Sequence, residues 1–153
     1  MDQLNGLYQL FIGGAPLSVI DDKLVALVGG GPDNPNPVIW KIQPAELAGR
    51  NAVVISTEDE ASGWVNAKPG EQKQIEIRPL VTFETFPPTF PTDEVFLAKP
   101  LYDGPKGAFT LRSAADDGLV GRNKIEDTLA RPKAVYANTD DRDAFVVAVA
   151  VET

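Results

Sequence analysis

Neither cysteine nor histidine occurs among the 153 residues. Without cysteine no disulfide can staple the fold, so apolar burial has to hold it. Without either residue, a Ser-His-Asp triad, a Cys-His dyad and a zinc site with His or Cys ligands are all excluded. Basic residues are scarce as well: 14 Lys and Arg stand against 22 Asp and Glu, a formal charge of −8. That balance argues against a nucleic-acid partner, whose phosphates need a basic footprint. No apolar run approaches the roughly 20 residues a membrane-spanning helix needs, so no membrane partner is expected. The opening Met1-Asp2-Gln3-Leu4-Asn5-Gly6 lacks a basic segment leading into an apolar one, and no Asn-x-Ser/Thr acceptor occurs. The expectation is a cytoplasmic protein, or one released without a signal peptide.

What is present is an ordinary globular composition, 43% hydrophobic and 24% charged, of a length suited to a single domain over 1–153. Thirteen Gly and thirteen Pro punctuate short β-rich runs. Leu7 to Ile12, Leu17 to Ile20, Leu24 to Val28 and Val38 to Ile42 read as four strands. The order recurs at Ala52 to Ile55, Gly63 to Val65, Gln74 to Ile77 and Glu94 to Leu97. It recurs again at Ala108 to Leu111, Gly118 to Val120, Ala134 to Ala137 and Ala144 to Val147. Each fourth strand carries an aromatic: Trp40, Phe96 and Phe145. No single unit can bury its own apolar face, but three around an axis can, and closure leaves few free edges. The pattern predicts an all-β chain, a β-trefoil: three four-stranded repeats over about 1–48, 49–104 and 105–153, forming a six-stranded barrel capped by three hairpins. A two-sheet sandwich is the rival.

Several motifs invite a chemical reading and are better explained as loops. Gly29-Gly30-Gly31 has no Lys-Ser/Thr after it and no helix to open, so it is no phosphate cradle. Glu58-Asp59-Glu60 and Asp140-Asp141-Arg142-Asp143 do not fit the twelve-residue calcium-loop spacing. A glycosidase needs only a carboxylate pair, but nothing singles one out. Hence no catalytic residue, no metal and no cofactor is expected. Two surface segments are unusual. Leu80 to Pro91 packs three Phe and three Pro into twelve residues, which makes it extended and stiff. Its rings either pack on the barrel or dock a partner. Residues 118–133, with Arg112 just upstream, hold five of the 14 basic residues in an acidic chain. That island is a loop pinned by Glu126 and Asp127, or one that presents a basic side chain.

Here the residues resemble a known family, the mushroom β-trefoil serine protease inhibitors. The stretch Gly118-Leu119-Val120-Gly121-Arg122-Asn123, with Glu126-Asp127, Leu129 and Pro132-Lys133-Ala134-Val135, is similar to the family's "VGR-x-x-x-ED-x-x-L-x-PK-x-V". So are Gly13-Gly14-Ala15-Pro16, Asp22-Lys23-Leu24, Trp40-Lys41-Ile42, Gly63-Trp64-Val65 and Ile77-Arg78-Pro79-Leu80. In the family the "VGR" unit comes first; here it comes last, as in a circular permutant joined through Pro100 to Gly107. The resemblance implies a monomeric inhibitor whose partner is a trypsin-like serine protease, blocked by a rigid loop. One side chain, P1, fills the protease's S1 pocket, where an acidic base favours Arg or Lys. Arg131 and Lys99 each precede proline and are set aside. Arg122, Asn123 and Lys124 are then the expected protease-binding loop. Arg142, flanked by three acids, and Phe83 and Phe86, suited to a chymotrypsin-like pocket, are second candidates. Alternatives are a carbohydrate-binding trefoil, though neither Trp40 nor Trp64 sits in Gln-x-Trp, or a cysteine protease inhibitor using the loop with Asn34 and Asn36.

Overall fold

The structure, a computed structural model, describes residues 5–27, 38–45, 49, 51–81, 90–101, 107–122, 133–139 and 143–151. The first unit contains β1 (Gly6–Ile12), β2 (Ala15–Ile20), β3 (Lys23–Ala26) and β4 (Trp40–Pro44). The second contains β5 (Ala52–Thr57), β6 (Ser62–Val65), β7 (Lys73–Gln74), β8 (Glu76–Pro79) and β9 (Phe96–Pro100). The third contains β10 (Ala108–Ser113), β11 (Lys133–Ala134), β12 (Tyr136–Ala137) and β13 (Val146–Ala150). A 3-10 turn over Thr92–Glu94 precedes β9.

Antiparallel pairing closes a ring. Strand β1 pairs β4, β4 pairs β5, β5 pairs β9, β9 pairs β10, β10 pairs β13, and β13 returns to β1. A closed ring of six strands has no exposed edge and is incompatible with the two-sheet sandwich. The register repeats with it. Tyr8 opposes Trp40, Val53 opposes Phe96 and Phe109 opposes Val146. The residue matching Trp40 and Phe96 in the third unit is therefore Val146, not the expected Phe145. Strand alternation turns Val146 inward, fully buried, and leaves its neighbour Phe145 only half-buried. Leu10, Ile55 and Leu111 take equivalent inward positions, each at most 1% exposed. Trp64 fills the space between the first two units, edge-on to Trp40 at 5.5 Å and to Phe96 at 6.1 Å.

The hairpins meet at the axis in a cyclic set of hydrogen bonds. Leu24 N–H donates to Ile75 O (2.9 Å), Ile75 N–H to Val135 O (3.0 Å) and Val135 N–H to Leu24 O (3.2 Å). This explains why the third strands of units two and three are each interrupted, at Ile75 and Val135. Those residues direct their backbone groups to the next unit instead of the local ladder. The second strand of the third unit is also reduced. Gly118 to Val120 does not form a strand, and only the Arg112–Leu119 bridge remains of it.

A smaller apolar cluster of Ala45, Ala52, Val54 and Val95 lies outside the main core. Phe90, the last ring of the Phe-Pro segment, packs on it with Leu80 and Leu97. Residues 102–106, within the expected joint, lie outside the described residues.

Candidate functional site

The third unit builds the base of the basic segment residue by residue. Val120 is fully buried, and its N–H donates to Leu111 O at 2.8 Å. Gly121 pairs with Tyr136 in both directions, at 3.0 and 2.8 Å. A Cβ at Gly121 would come within 2.5 Å of the Ala144 methyl, so only glycine lets the chain pass here. Arg122 then leaves the core half-buried, its carbonyl accepting the Thr139 hydroxyl at 2.8 Å. Its guanidinium lies across the β1–β2 turn: a Cβ on Gly13 would meet Arg122 Nη1 at 3.1 Å. That turn is made by Gly13 (φ 59°) and Gly14 (φ 79°), both left-handed, as a two-residue hairpin requires. The "VGR" and "GGAP" motifs thus lie side by side.

Of the expected site residues, the structure places Arg122. Asn123, Lys124, Arg142, Phe83 and Phe86 lie outside the described residues, as do Asn34 and Asn36. The acidic run Glu58-Asp59-Glu60 is exposed. Its Asp59 carboxylate accepts Thr57 Oγ1 at 2.6 Å and Ala61 N–H at 3.0 Å, and both bonds hold it below the usual aspartate range. Among the described residues no group of three or more acidic side chains is arranged to hold a metal.

A polar network that sequence reasoning missed stands behind Arg122. Asp116 accepts Gly70 N–H (2.6 Å), Gly118 N–H (2.9 Å) and Asn138 Nδ2 (2.6 Å). Burial alone would raise this carboxyl. The bonds from Gly70, Asn138 and Gly118, with Asn66 nearby, outweigh burial and hold it below the ordinary range. Asn138 sits in the left-handed region (φ 61°) and also donates to Glu71 O at 2.9 Å. The next residue is Thr139, whose N–H reaches Leu119 O at 3.0 Å and whose hydroxyl holds Arg122. The Asp116-Asp117-Gly118 turn signature was readable. Its partners, 46 and 22 residues away, were not.

The Phe-Pro segment has its own brace. Glu94 is 3% exposed, and its Oε1 accepts Val81 N–H at 2.8 Å, tying the two ends of the segment together. Its Oε2 is buried without a hydrogen-bond partner among the described residues. Burial pushes this carboxyl above its usual range, the Val81 bond opposes that, and the charge on Asp93 adds to it.

A closed ring with a threefold register and a cyclic cap defines a β-trefoil. Solved structures agree. A designed threefold-symmetric protein, ThreeFoil, superposes with TM-score 0.68 at 11% identity, covering 96% of this chain and 100% of that one. Chicken interleukin-1 beta does so with TM-score 0.63 at 17% identity, covering 94% and 95%. At such identities the likeness concerns the fold alone. In sequence, the model of the peptidase inhibitor I66 family matches residues 1–100, and the chain belongs to that family. A "Serine protease inhibitor" of Lentinula edodes is 38% identical over 84 residues, 54% of this chain and 55% of that protein. The chain thus spans about half the length of the curated relative it matches. Residues 122–124 lie beyond the stretch matched by the family model.

Proposed function

We propose that this chain inhibits trypsin-like serine proteases by inserting the loop that begins at Arg122, with Arg122, Asn123 and Lys124 as the protease-binding residues. Membership of a peptidase inhibitor family supports the class of activity. The observation that carries the choice of loop is its fixed base: a two-way backbone pair at Gly121–Tyr136 and the Thr139 bond to Arg122 O. A loop ordered before binding avoids the entropy cost of being ordered by the protease, so a cleavable bond is retained as a plug. At the described base of the loop the order comes from packing and hydrogen bonds, since the chain has no cysteine. The net charge of −8 steers the inhibitor toward cationic proteases and raises the association rate at low salt. The inhibitor acts as a monomer, one loop per protease.

The test is titration against trypsin, chymotrypsin and papain with small chromogenic substrates. Tight inhibition of trypsin that disappears when residues 122–124 are jointly replaced by Ala is the expected result. Unchanged inhibition by that triple variant would move the site to the segment of Phe83 and Phe86 or to Arg142. Inhibition of papain alone would favour the loop with Asn34 and Asn36.

A further inference from the structure

We propose that the outer face of the β13–β1 seam pairs with the same face of a second copy of this chain. The inference is independent of the loop reading above. The barrel has three seams where the last strand of one unit meets the first strand of the next: β4–β5, β9–β10 and β13–β1. On each, strand alternation sends every second pair of residues to the outer surface. The first seam carries Lys41 there, opposite Ser56, and the second carries Lys99 opposite Thr110 and Arg112 opposite Leu97. On the third seam Phe11 lies opposite Val147 and Gln9 opposite Val149, and the Leu7 carbonyl accepts the Val151 N–H. This outer row holds five apolar side chains, one amide and no charge. The second unit shows how the fold treats outward apolar residues. Ala52 and Val54, on the outer side of β5, are fully buried in a cluster with Val95, Leu80 and Phe90 of the same chain. The third seam is not sealed in this way: Val149 is 47% exposed, and Leu7, Phe11, Val147 and Val151 are half-buried.

Two observations select a second copy as the occupant. The chain carries a net charge of −8, so its copies repel in most orientations. An uncharged face is where that repulsion is weakest and apolar burial offsets it best. The one polar residue of the row, Gln9, has an amide that both donates and accepts. It can therefore meet its own counterpart across an isologous contact, whereas a Lys or Glu there would repel itself. Two such faces pack as aligned sheets about 10 Å apart. Strand spacing makes the row about 17 Å by 10 Å, which is small beside the roughly 800 Å² per partner of a stable interface. The pairing is accordingly weak and reversible, and the monomer remains the inhibiting form at the dilutions of a protease titration.

Sedimentation equilibrium of the full chain is the test. Its weight-average mass should be that of the monomer at about 10 μM and rise by about a third or more at about 1 mM. The rise should be larger in about 0.5 M than in about 0.05 M NaCl, because salt screens the repulsion between acidic copies and leaves apolar contacts intact. Val149→Lys, which puts like charges into the contact, should abolish the rise. Gln43→Lys, the same charge on the outer side of the β4–β5 seam, should leave it unchanged. Thermal unfolding confirms that both variants fold, and Gln9→Glu takes the place of Val149→Lys if that variant does not. A wild-type mass that stays flat at both salts, or a rise that survives Val149→Lys or is lost equally in Gln43→Lys, would overturn the inference. A flat wild type whose trypsin inhibition weakens on Val149→Lys would also overturn it, and would give the face to the protease instead.

Discussion

Replacing Asp116 by Ala should destabilise the protein by about 2–3 kcal/mol. The side chain accepts three hydrogen bonds, from Gly70 N–H, Gly118 N–H and Asn138 Nδ2. A bond to a charged group contributes roughly 1.5–3 kcal/mol when sheltered, but Asp116 is only half-buried and water can reach the abandoned donors. The expectation is therefore well below the sum of three such bonds, on the scale of one of them. For a chain of this size that is a fall of about 5–10 °C in Tm. The sign with pH follows from the depressed carboxyl. Its stabilising contribution is fully present above the ordinary aspartate value of 3.8 and is lost as pH falls through the lower folded value. The stability gap between wild type and Asp116→Asn, which keeps the shape without the charge, should thus be widest near neutrality and close in acid. Urea unfolding of wild type, Asp116→Asn and Asp116→Ala at pH 7 and near pH 3 measures it. Equal midpoints for wild type and Asp116→Ala at pH 7, or a gap to Asp116→Asn as wide at pH 3 as at pH 7, would refute the account.

Three further perturbations bear on the same architecture. Glu94→Gln should raise stability near neutral pH, because a buried carboxyl pushed above its usual range resists ionising. The gain should shrink as pH falls through the raised folded value toward 4.5 and be absent below it, where Glu94 is protonated in both states; thermal unfolding across that range shows it. Gly121→Ala should cost about 1–3 kcal/mol through the clash with the Ala144 methyl and loosen the base of the loop, seen as faster amide exchange at Gly121 and Tyr136. Trp64→Ala should cost about 3–5 kcal/mol in denaturant unfolding, since the ring is fully buried between Trp40 and Phe96.

The strand pattern was legible because alternation and turn residues are local signals. Leu10 and Ile12 alternate inward, and Gly13-Gly14 marks the turn that follows. The threefold order was legible because it repeats three times. Two kinds of information were not. The Phe145 reading missed by one residue because an aromatic ring outweighs a valine in sequence pattern, yet strand register decides which of two neighbours faces in. The short pairings around Ile75 and Val135 answer to backbone groups on other units, which leave no mark on side-chain pattern. For the site, Val120-Gly121-Arg122 was recognised as a motif, but its physical content needed the structure. Gly121 is small because Ala144 passes beside it, and the Arg122 guanidinium lies beside Gly13, a residue more than a hundred positions earlier in the chain. Asp116, Asn138 and Thr139 escaped notice because their roles are assembled from distant segments.

The pairing of β1 with β13 sets a condition on how the molecule reaches its native state. Tyr8 lies opposite Ala150, and Val151 N–H donates to Leu7 O at 3.0 Å, so the seam joins segments separated by nearly the full sequence. On a ribosome, β1 must wait for almost all of the remaining chain before its partner exists. Pairings this remote repay their loop-closure entropy late, which favours slow, all-or-none assembly over stepwise docking of finished thirds. Until that seam shuts, β1 and β13 each offer an unpaired edge to solvent, and protection from aggregation during that interval has to come from elsewhere, such as mutual repulsion among the surplus acidic side chains.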